Sequence, residues 1–357
     1  MRKVGRRRRK KINKIIVLSA FCLLFVITAG YAAFSTNINL HVKGNILEGT
    51  RVIQEWDSNS QTDFHSDFYK QNIVSITFLN NNNVPENAVD SWNVSEDKEK
   101  GTVKAWVVPN SSDSSKYDLY IGAKGKVIAN ENSGYLFYGF KEVNLINFNG
   151  NFDTSKSIDM KYMFYDCSNL INLDLSSFKT DNTTDMRAMF YKCNKLTNLN
   201  ITTFNTSKVT QMAYMFNDCN SLTTLDLSNF NTSQVTSMAA MFYNCESLTT
   251  LNVSSFDTRN VTTMQAMFAS LKLNTIDVSN FNTDKVTNMR NMFANCQNLE
   301  ELDLSNFNTQ DVTDMAYMFV DDIQLTVIYV GKNWTIDKAD TMLIFNNCGT
   351  DHVTLKQ

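Results

Sequence analysis

The stretch MAYMFNDCNSLTTLDLSNFNTSQVTS, residues 212–237, is followed directly by MAAMFYNCESLTTLNVSSFDTRNVTT, residues 238–263. The second stretch keeps nearly every apolar residue of the first and differs from it mainly at polar positions. The opening unit Met-x-x-Met-Phe recurs at a nearly constant spacing, with one step shorter by a single residue, and begins at Met160, Met186, Met212, Met238, Met264, Met289 and Met315. A fixed period of this length indicates a repeat architecture.

Two apolar periods occur within one repeat. Met212, Met215 and Phe216 follow the spacing i, i+3, i+4, which predicts a short helix or helical turn. Leu225 and Leu227 follow the spacing i, i+2, which predicts an extended strand. Because a single repeat is too short to bury a core alone, successive repeats must stack on one another. The predicted core of one repeat comprises Met212, Met215, Phe216, Cys219, Leu222, Leu225, Leu227 and Phe230.

The predicted fold is a repeat solenoid of leucine-rich-repeat type, with one parallel β-sheet and short helical turns, preceded by a small β-rich N-terminal region. Threonines two residues before a methionine, such as Thr210, are predicted to cap these turns. The chain is predicted to divide into an export segment at 1–34, a β-rich region at 35–98, an N-terminal cap at 99–151, seven repeats at 152–330, and a C-terminal cap with a degraded eighth copy at 331–357.

The N-terminus has the pattern of an export signal. Nine basic residues precede Ile15, and Ile15–Phe34 contains no charge. A small-x-small site before Ala33 suits cleavage, while an apolar stretch of this length also suffices for an uncleaved transmembrane anchor. Both alternatives place the remaining chain outside the membrane, at the cell surface or secreted, with membrane contact through this segment alone.

The charge of the remaining chain limits its partners. Without the nine basic residues of the leader, 24 basic residues stand against 36 acidic ones. A body this acidic repels phosphate backbones, so the composition argues against nucleic-acid binding. An acidic surface favours basic macromolecular partners and a salt-sensitive association.

The motif Leu-x-x-Leu-x-Leu is the strand signature of leucine-rich repeats and occurs at Leu222-Leu225-Leu227 and at Leu299-Leu302-Leu304. The fuller pattern, Met-x-x-Met-Phe-x-x-Cys-x-x-Leu-x-x-Leu-Asp-Leu-Ser-x-Phe-Asn-Thr-x-x-Val-Thr, resembles the repeat of BspA-like bacterial surface proteins. The resemblance extends over residues 100–350, and the leader ending GYAAFST is similar to export signals of Gram-positive surface proteins.

This resemblance implies an exported, non-enzymatic protein that is displayed on a bacterial surface. It further implies adhesion, through protein–protein contacts, to host matrix proteins or to other cells. The chain departs from the family pattern at four positions: Leu271 and Asp322 replace the repeat cysteine, and Ser157 and Thr183 replace the valine of the Val-Thr pair.

Catalytic and metal-binding motifs are not apparent in the sequence. The only histidines, His41, His65 and His352, lie outside the regular repeats, and no Cys-x-x-Cys or His-Glu-x-x-His spacing occurs. The repeat cysteines are predicted to be free thiols packed as small apolar groups, with disulfides between adjacent repeats as the alternative. We therefore expect no enzyme activity, no cofactor and no metal.

A column of polar residues is predicted on the outer face of the strands. If Leu225 and Leu227 point inward, Asp226 points outward. The equivalent positions, one per repeat, are Asp174, Asn200, Asp226, Asn252, Asp277 and Asp303. With the neighbouring residues Thr224, Thr250 and Glu301, this column is either a solvated face that keeps the chain soluble or the docking face for a macromolecule.

Two rival functions remain at this level. The solenoid could instead be a structural component of the cell envelope or of a biofilm matrix without a foreign ligand, and self-association would favour that interpretation. An enzyme within residues 35–130 is the third alternative, and it would depend on a carboxylate in that segment.

Overall fold

The computed structural model describes residues 51–356, which lie within one compact unit, Arg51–Gln357. The predicted export segment, 1–34, falls outside the described residues. Within the described residues there are two short helices, a 3-10 helix at Asp63–His65 and α1 at Asp67–Lys70. The strands are β1 (Ile73–Leu79), β2 (Asp90–Asn93), β3 (Val103–Pro109), β4 (Tyr117–Ala123), β5 (Val127–Ile128), β6 (Leu145–Asn147), β7 (Phe152–Asp153), β8 (Asn172–Asp174), β9 (Asn198–Asn200), β10 (Glu301–Leu304), β11 (Val327–Val330) and β12 (Thr354–Leu355).

The N-terminal strands and the first repeats share one sheet, with strand order β2-β3-β4-β1-β6-β8-β9. Strands β2, β3 and β4 are antiparallel, whereas β4, β1, β6, β8 and β9 run parallel. Strand β1 is rich in β-branched and aromatic residues, and it buries Ile73, Ile76 and Phe78 completely. The β-rich region thus continues directly into the side of the repeats that carries β8 and β9 and, further along, β10 to β12, which we name the strand side.

The repeats stack in sequence order, with equivalent residues side by side. One residue of each repeat forms a parallel bridge with its equivalent in the next, in the column Asn132, Asp159, Asp185, Gln211, Ser237, Thr263, Asn288, Asp314 and Asp340. From Asp159 onward the bridges follow the period of the sequence, including the single shortened step from Thr263 to Asn288.

The Met-x-x-Met-Phe segments fold as consecutive tight turns, so the predicted helical turn is wrong. In the third repeat, Met215 N–H donates to Met212 O at 3.3 Å and Cys219 N–H donates to Phe216 O at 3.1 Å. Tyr214 and Asp218 have φ of 62° and 58°, which interrupts any helix. The N–H groups of Tyr214 and Phe216 instead bond to carbonyls of the next repeat, at 2.8 and 3.0 Å.

The predicted capping by threonines is also wrong. Thr210 donates both its backbone N–H and its hydroxyl to Thr184 O, at 2.9 and 3.3 Å. Thr236 makes the same two bonds to Thr210 O, at 3.0 and 3.2 Å. These threonines therefore tie one repeat to the preceding one and do not satisfy the ends of a helix.

The strand side of the repeats is not one parallel sheet, which corrects a second expectation. Strands β8 and β9 belong to the seven-stranded sheet, while β10, β11 and β12 form a separate three-stranded parallel sheet. The equivalent segments of three intervening repeats, at 224–227, 250–253 and 275–278, do not pair as strands. The turns and the inter-repeat bonds of the threonines equivalent to Thr210 continue through the same repeats, so the stack itself is unbroken.

The core runs through the whole described unit. In the third repeat all eight residues of the predicted core are at most 8% exposed: Met212, Met215, Phe216, Cys219, Leu222, Leu225, Leu227 and Phe230. The phenylalanines of successive repeats form one stacked column, in which Phe216 and Phe242 lie 5.8 Å apart with an interplanar angle of 2°. The apolar side chains thus bury one another between repeats as well as within them.

A column of buried threonines also joins successive repeats. Thr232 is fully buried; its hydroxyl donates to Asp257 O at 3.0 Å and accepts the Asp257 N–H at 2.7 Å. Equivalent bonds are made by the threonine of each other Phe-x-Thr segment within residues 152–330, namely Thr154, Thr180, Thr206, Thr258, Thr283 and Thr309. One hydroxyl therefore satisfies both backbone groups of a residue in the next repeat.

The substitution Thr232→Val is expected to lower the free energy of unfolding by about 2 kcal/mol. Valine has the same shape, but it leaves the N–H and the carbonyl of Asp257 without their partner. Urea-induced unfolding measures the loss. The matched control is Thr249→Val, at an exposed threonine whose hydroxyl bonds to Thr223 O, and it should change the stability by less than about 0.5 kcal/mol. Equal effects of the two substitutions would contradict a role for the buried column.

Candidate binding surface

The polar column of the strand side is exposed between buried neighbours. Asp226 is exposed, whereas Leu225 and Leu227 on either side of it are 8% and 1% exposed. Asp174, Asn252 and Asp277 are exposed in the same way, and Asn200 and Asp303 are half-buried. The structure therefore brings one carboxylate or amide per repeat to the same side of the stack.

Each member of the column also has a local structural role. One side-chain oxygen of Asp226 accepts the backbone N–H of Ser228 at 3.0 Å, and Asn252 and Asp277 accept the equivalent bonds at 3.0 Å. This bond turns the chain after the strand segment, and either Asp or Asn can make it. The bond accounts for the residue type, and it leaves the second carboxylate oxygen of Asp226 directed to solvent.

Hydrogen bonding keeps these carboxyl groups ionised. Bonds from Ser228 lower the pKa of Asp226, and bonds from Ser279 lower the pKa of Asp277. At the first repeats, Asn200 donates to Asp174 at 2.9 Å along the column. At the other end, Asp303 forms an ion pair with Lys356. The negative charge of the column is thus free at Asp226 and Asp277.

The predicted neighbours of the column add polar groups to the same side. Thr224, Thr250 and Glu301 are all exposed. Among the described residues the hydroxyls of Thr224 and Thr250 make no hydrogen bond. The negative charge of Glu301 interacts favourably with the positive charge of Lys356.

A notch opens on the strand side between the fourth and fifth repeats. Its volume is about 620 Å³, and its lining includes Thr250, Leu251 and Asp277, with the ion pair of Lys272 and Glu246 at one end. Lys272 lies alone between Leu271 and Leu273, whereas the other repeats have two residues between the equivalent positions. The repeat that contains Lys272 is therefore the shortened one. The missing residue leaves the gap. The sequence spacing was the only signal for it.

Residues 51–356 contain no group of three His, Cys, Asp or Glu side chains arranged to hold a metal ion. The cysteines at 167, 193, 219, 245, 296 and 348 are free thiols. Burial raises the pKa of Cys219, whose Sγ donates to Phe190 O at 3.2 Å. Such thiols pack and bond within the core.

The buried His65 is satisfied within the N-terminal region. Its Nδ1 lies 3.1 Å from Asp63 and its Nε2 lies 3.0 Å from Leu136 O, and burial lowers its pKa. It is therefore a structural histidine of the core between the 3-10 helix and the repeats.

Within residues 51–356, no helix has the length and apolar character that a membrane span requires.

The stacking of equivalent residues and the polar column on one side define a stacked-repeat protein with an extended polar face. The chain belongs to the family described as "Mycoplasma protein of unknown function, DUF285", which matches it over residues 131–251 and 247–353. These two segments together contain all the repeats. No curated protein and no solved structure matches the chain.

Proposed function

We propose that this protein is an exported, BspA-like surface protein whose leucine-rich-repeat solenoid binds other macromolecules, chiefly proteins, in adhesion to host matrix or to other cells. The basic and apolar N-terminal segment supports the proposed export. The proposed activity is binding without catalysis, and it requires no cofactor or metal.

The observation that carries this proposal is the strand side with its free carboxylates. Asp226 and Asp277 are ionised and exposed on one rigid face, and the notch beside Asp277 provides a recess of about 620 Å³. A rigid face loses little conformational entropy on binding. Such a surface favours partners that present basic residues, and the association should weaken as salt is added.

The test is binding of the full chain, in mild detergent, to immobilised fibronectin, fibrinogen, collagen and laminin. The variant Asp226→Asn/Asp277→Asn/Asp303→Asn removes three charges from the column. It keeps the local turn bonds, because Asn200 and Asn252 occupy the same position in other repeats and accept the same backbone N–H. We expect saturable binding by the native chain and a loss of affinity of at least about tenfold in the variant.

The matched control is Asp181→Asn/Asp284→Asn/Asp311→Asn, which removes the same charge from exposed positions away from the column. This control should bind as the native chain does. Equal binding by both triple variants would place the site elsewhere. Self-association that rises with concentration, without binding to any matrix protein, would favour a structural role in the envelope or biofilm matrix.

A further inference from the structure

A second surface lies on the side of the stack formed by the Met-x-x-Met-Phe turns and their equivalent in the N-terminal cap, which we name the turn side. Five tyrosines form two adjoining rows there, which we name the tyrosine rows: Tyr135, Tyr138, Tyr162, Tyr165 and Tyr191. Along the rows, Tyr135 stacks on Tyr162 at 5.1 Å, and Tyr165 stacks on Tyr138 and Tyr191 at 4.7 and 4.9 Å. The rings are half-buried, and within residues 51–356 their hydroxyls have no hydrogen-bond partner.

The fold does not require these tyrosines. The fifth repeat has Ala266 and Ala269 at the two tyrosine positions, yet it makes the same turns. Tyr162 has φ of 57°, a conformation that costs a bulky residue about 1 kcal/mol or more. A residue that is dispensable for the turn and strained in it points to a role on the surface.

The rows have the character of a protein interface. Tyrosine is enriched at the centre of interfaces because it offers a large, rigid and amphipathic contact area. Mutual stacking already fixes the rings, so that a partner orders few side chains on binding. Burial raises the pKa of Tyr165 and Tyr191, which keeps their phenols protonated as hydrogen-bond donors. Within the rows the stacked ring faces cover one another, which leaves edges and hydroxyls for a partner, whereas Tyr135, at the end of its row, also lines the neighbouring cleft.

A cleft of about 370 Å³ adjoins the rows at Tyr135. Three carboxylates line it, and one of them, Asp159, is neutralised by Lys161 with Nζ at 2.6 Å. Glu55 and Asp57 are exposed and form no ion pair among the described residues, so the cleft retains two negative charges.

Gly134 lines the cleft at a point where its backbone closely approaches that of Lys161. A Cβ at Gly134 would lie 2.8 Å from Lys161 O, so that no other residue fits without a shift of the backbone. The cleft is thus an acidic recess with an aromatic wall at the edge of an aromatic surface.

We propose that the tyrosine rows and this cleft form a docking surface for a protein partner that inserts an arginine side chain into the cleft. A guanidinium group pairs with carboxylates in a planar arrangement and stacks on an aromatic ring, which Glu55, Asp57 and Tyr135 provide together. Arginine anchors surrounded by tyrosine are typical centres of binding energy in interfaces. The lysine ammonium matches the charge but not the planar geometry.

The first test uses N-acetyl-arginine methylamide, with the lysine and citrulline analogues as comparisons. The four tryptophans, labelled with ¹⁵N, give four indole signals, and Trp56 lines the cleft. We expect the Trp56 signal alone to shift saturably with the arginine analogue, more weakly with lysine and not with citrulline. The variant Glu55→Gln/Asp57→Asn should lose at least about tenfold in affinity. The control Glu86→Gln/Asp337→Asn, at two exposed carboxylates outside the cleft and outside the polar column, should not.

The second test concerns the rows and uses the peptide acetyl-Gly-Leu-Arg-Leu-Gly-amide. Its leucines should contact the tyrosines, so we expect binding at least about fivefold tighter than that of the arginine analogue. The variant Tyr165→Ala/Tyr191→Ala, which places at both positions the alanine that the fifth repeat has at Ala269, should abolish this gain and leave binding of the analogue unchanged, because neither ring contacts Tyr135. A cleft that does not distinguish arginine from citrulline, or a peptide that gains nothing over the analogue, would overturn the proposal.

Discussion

Replacement of Phe242 by alanine is expected to lower the free energy of unfolding by about 3–5 kcal/mol. Phe242 is fully buried and stacks on Phe216 at 5.8 Å and on Phe268 at 6.1 Å between ring centroids. Its removal leaves a cavity between repeats, because the backbone hydrogen bonds on the turn side keep neighbouring repeats at a fixed spacing. Because neighbouring repeats stabilise one another, the loss also weakens the coupling between the two halves of the stack.

Urea-induced unfolding, followed by circular dichroism, measures this effect. The matched control is Phe345→Ala, at the end of the same column. Phe345 is half-buried and stacks on Phe319 alone, at 5.7 Å, so its replacement should cost less than half as much. Similar losses in the two variants would contradict the stacked column as the source of coupling.

Replacement of Asp322 by cysteine is expected to stabilise the protein by about 3–5 kcal/mol near pH 8, and by less than about 1 kcal/mol near pH 4. Asp322 occupies the position of the repeat cysteine and is fully buried. One of its carboxylate oxygens accepts the Cys296 N–H at 2.6 Å, while the other, Oδ2, has no partner. Burial raises its pKa from 3.8 to about 8.

The sign of this pH dependence follows from the proton balance. Between pH 4 and pH 8 the folded state keeps a proton on Asp322 that the unfolded chain has released. The stability of the native chain therefore falls as the pH rises through this window, by at most about 1.4 kcal/mol per pH unit. Cysteine does not titrate in this range, so the variant should not show that fall.

Unfolding in urea at pH 4.5, 6 and 8 measures the effect, with Asp226→Asn as the matched control at an exposed carboxylate. The difference between native chain and Asp322→Cys should grow with pH, whereas the control should differ little from the native chain. A constant difference across the three pH values would rule out titration of Asp322 as the cause.

The sequence alone carries the repeat period and the buried residues. Met212, Phe216 and Leu225 recur in nearly every copy because each must pack against its own equivalent in the next repeat. The same residues do not predict the geometry of the turns. Two consecutive turns place apolar residues at the spacing of a helical turn, and the left-handed positions hold Tyr214 and Asp218 where a glycine would have revealed them.

The candidate surfaces were visible in the sequence to different degrees. The alternation of Leu225, Asp226 and Leu227 is enough to place Asp226 among exposed residues. The bond from Ser228 to Asp226, which explains the choice of Asp or Asn, depends on the chain direction after the strand segment. The tyrosine rows join residues of three successive units, and no single repeat contains more than two of their members.

The repeating apolar residues are enough to predict a stack of equivalent units with a shared apolar core, because they recur with the period of the chain. How the units meet depends on tertiary contacts. The tertiary structure set consecutive turns in place of helical ones, divided the strand side into two sheets, opened a notch where one residue is missing, and aligned the tyrosines beside an acidic cleft. These features depend on hydrogen bonds and contacts between neighbouring repeats, and a pattern within one repeat does not contain them.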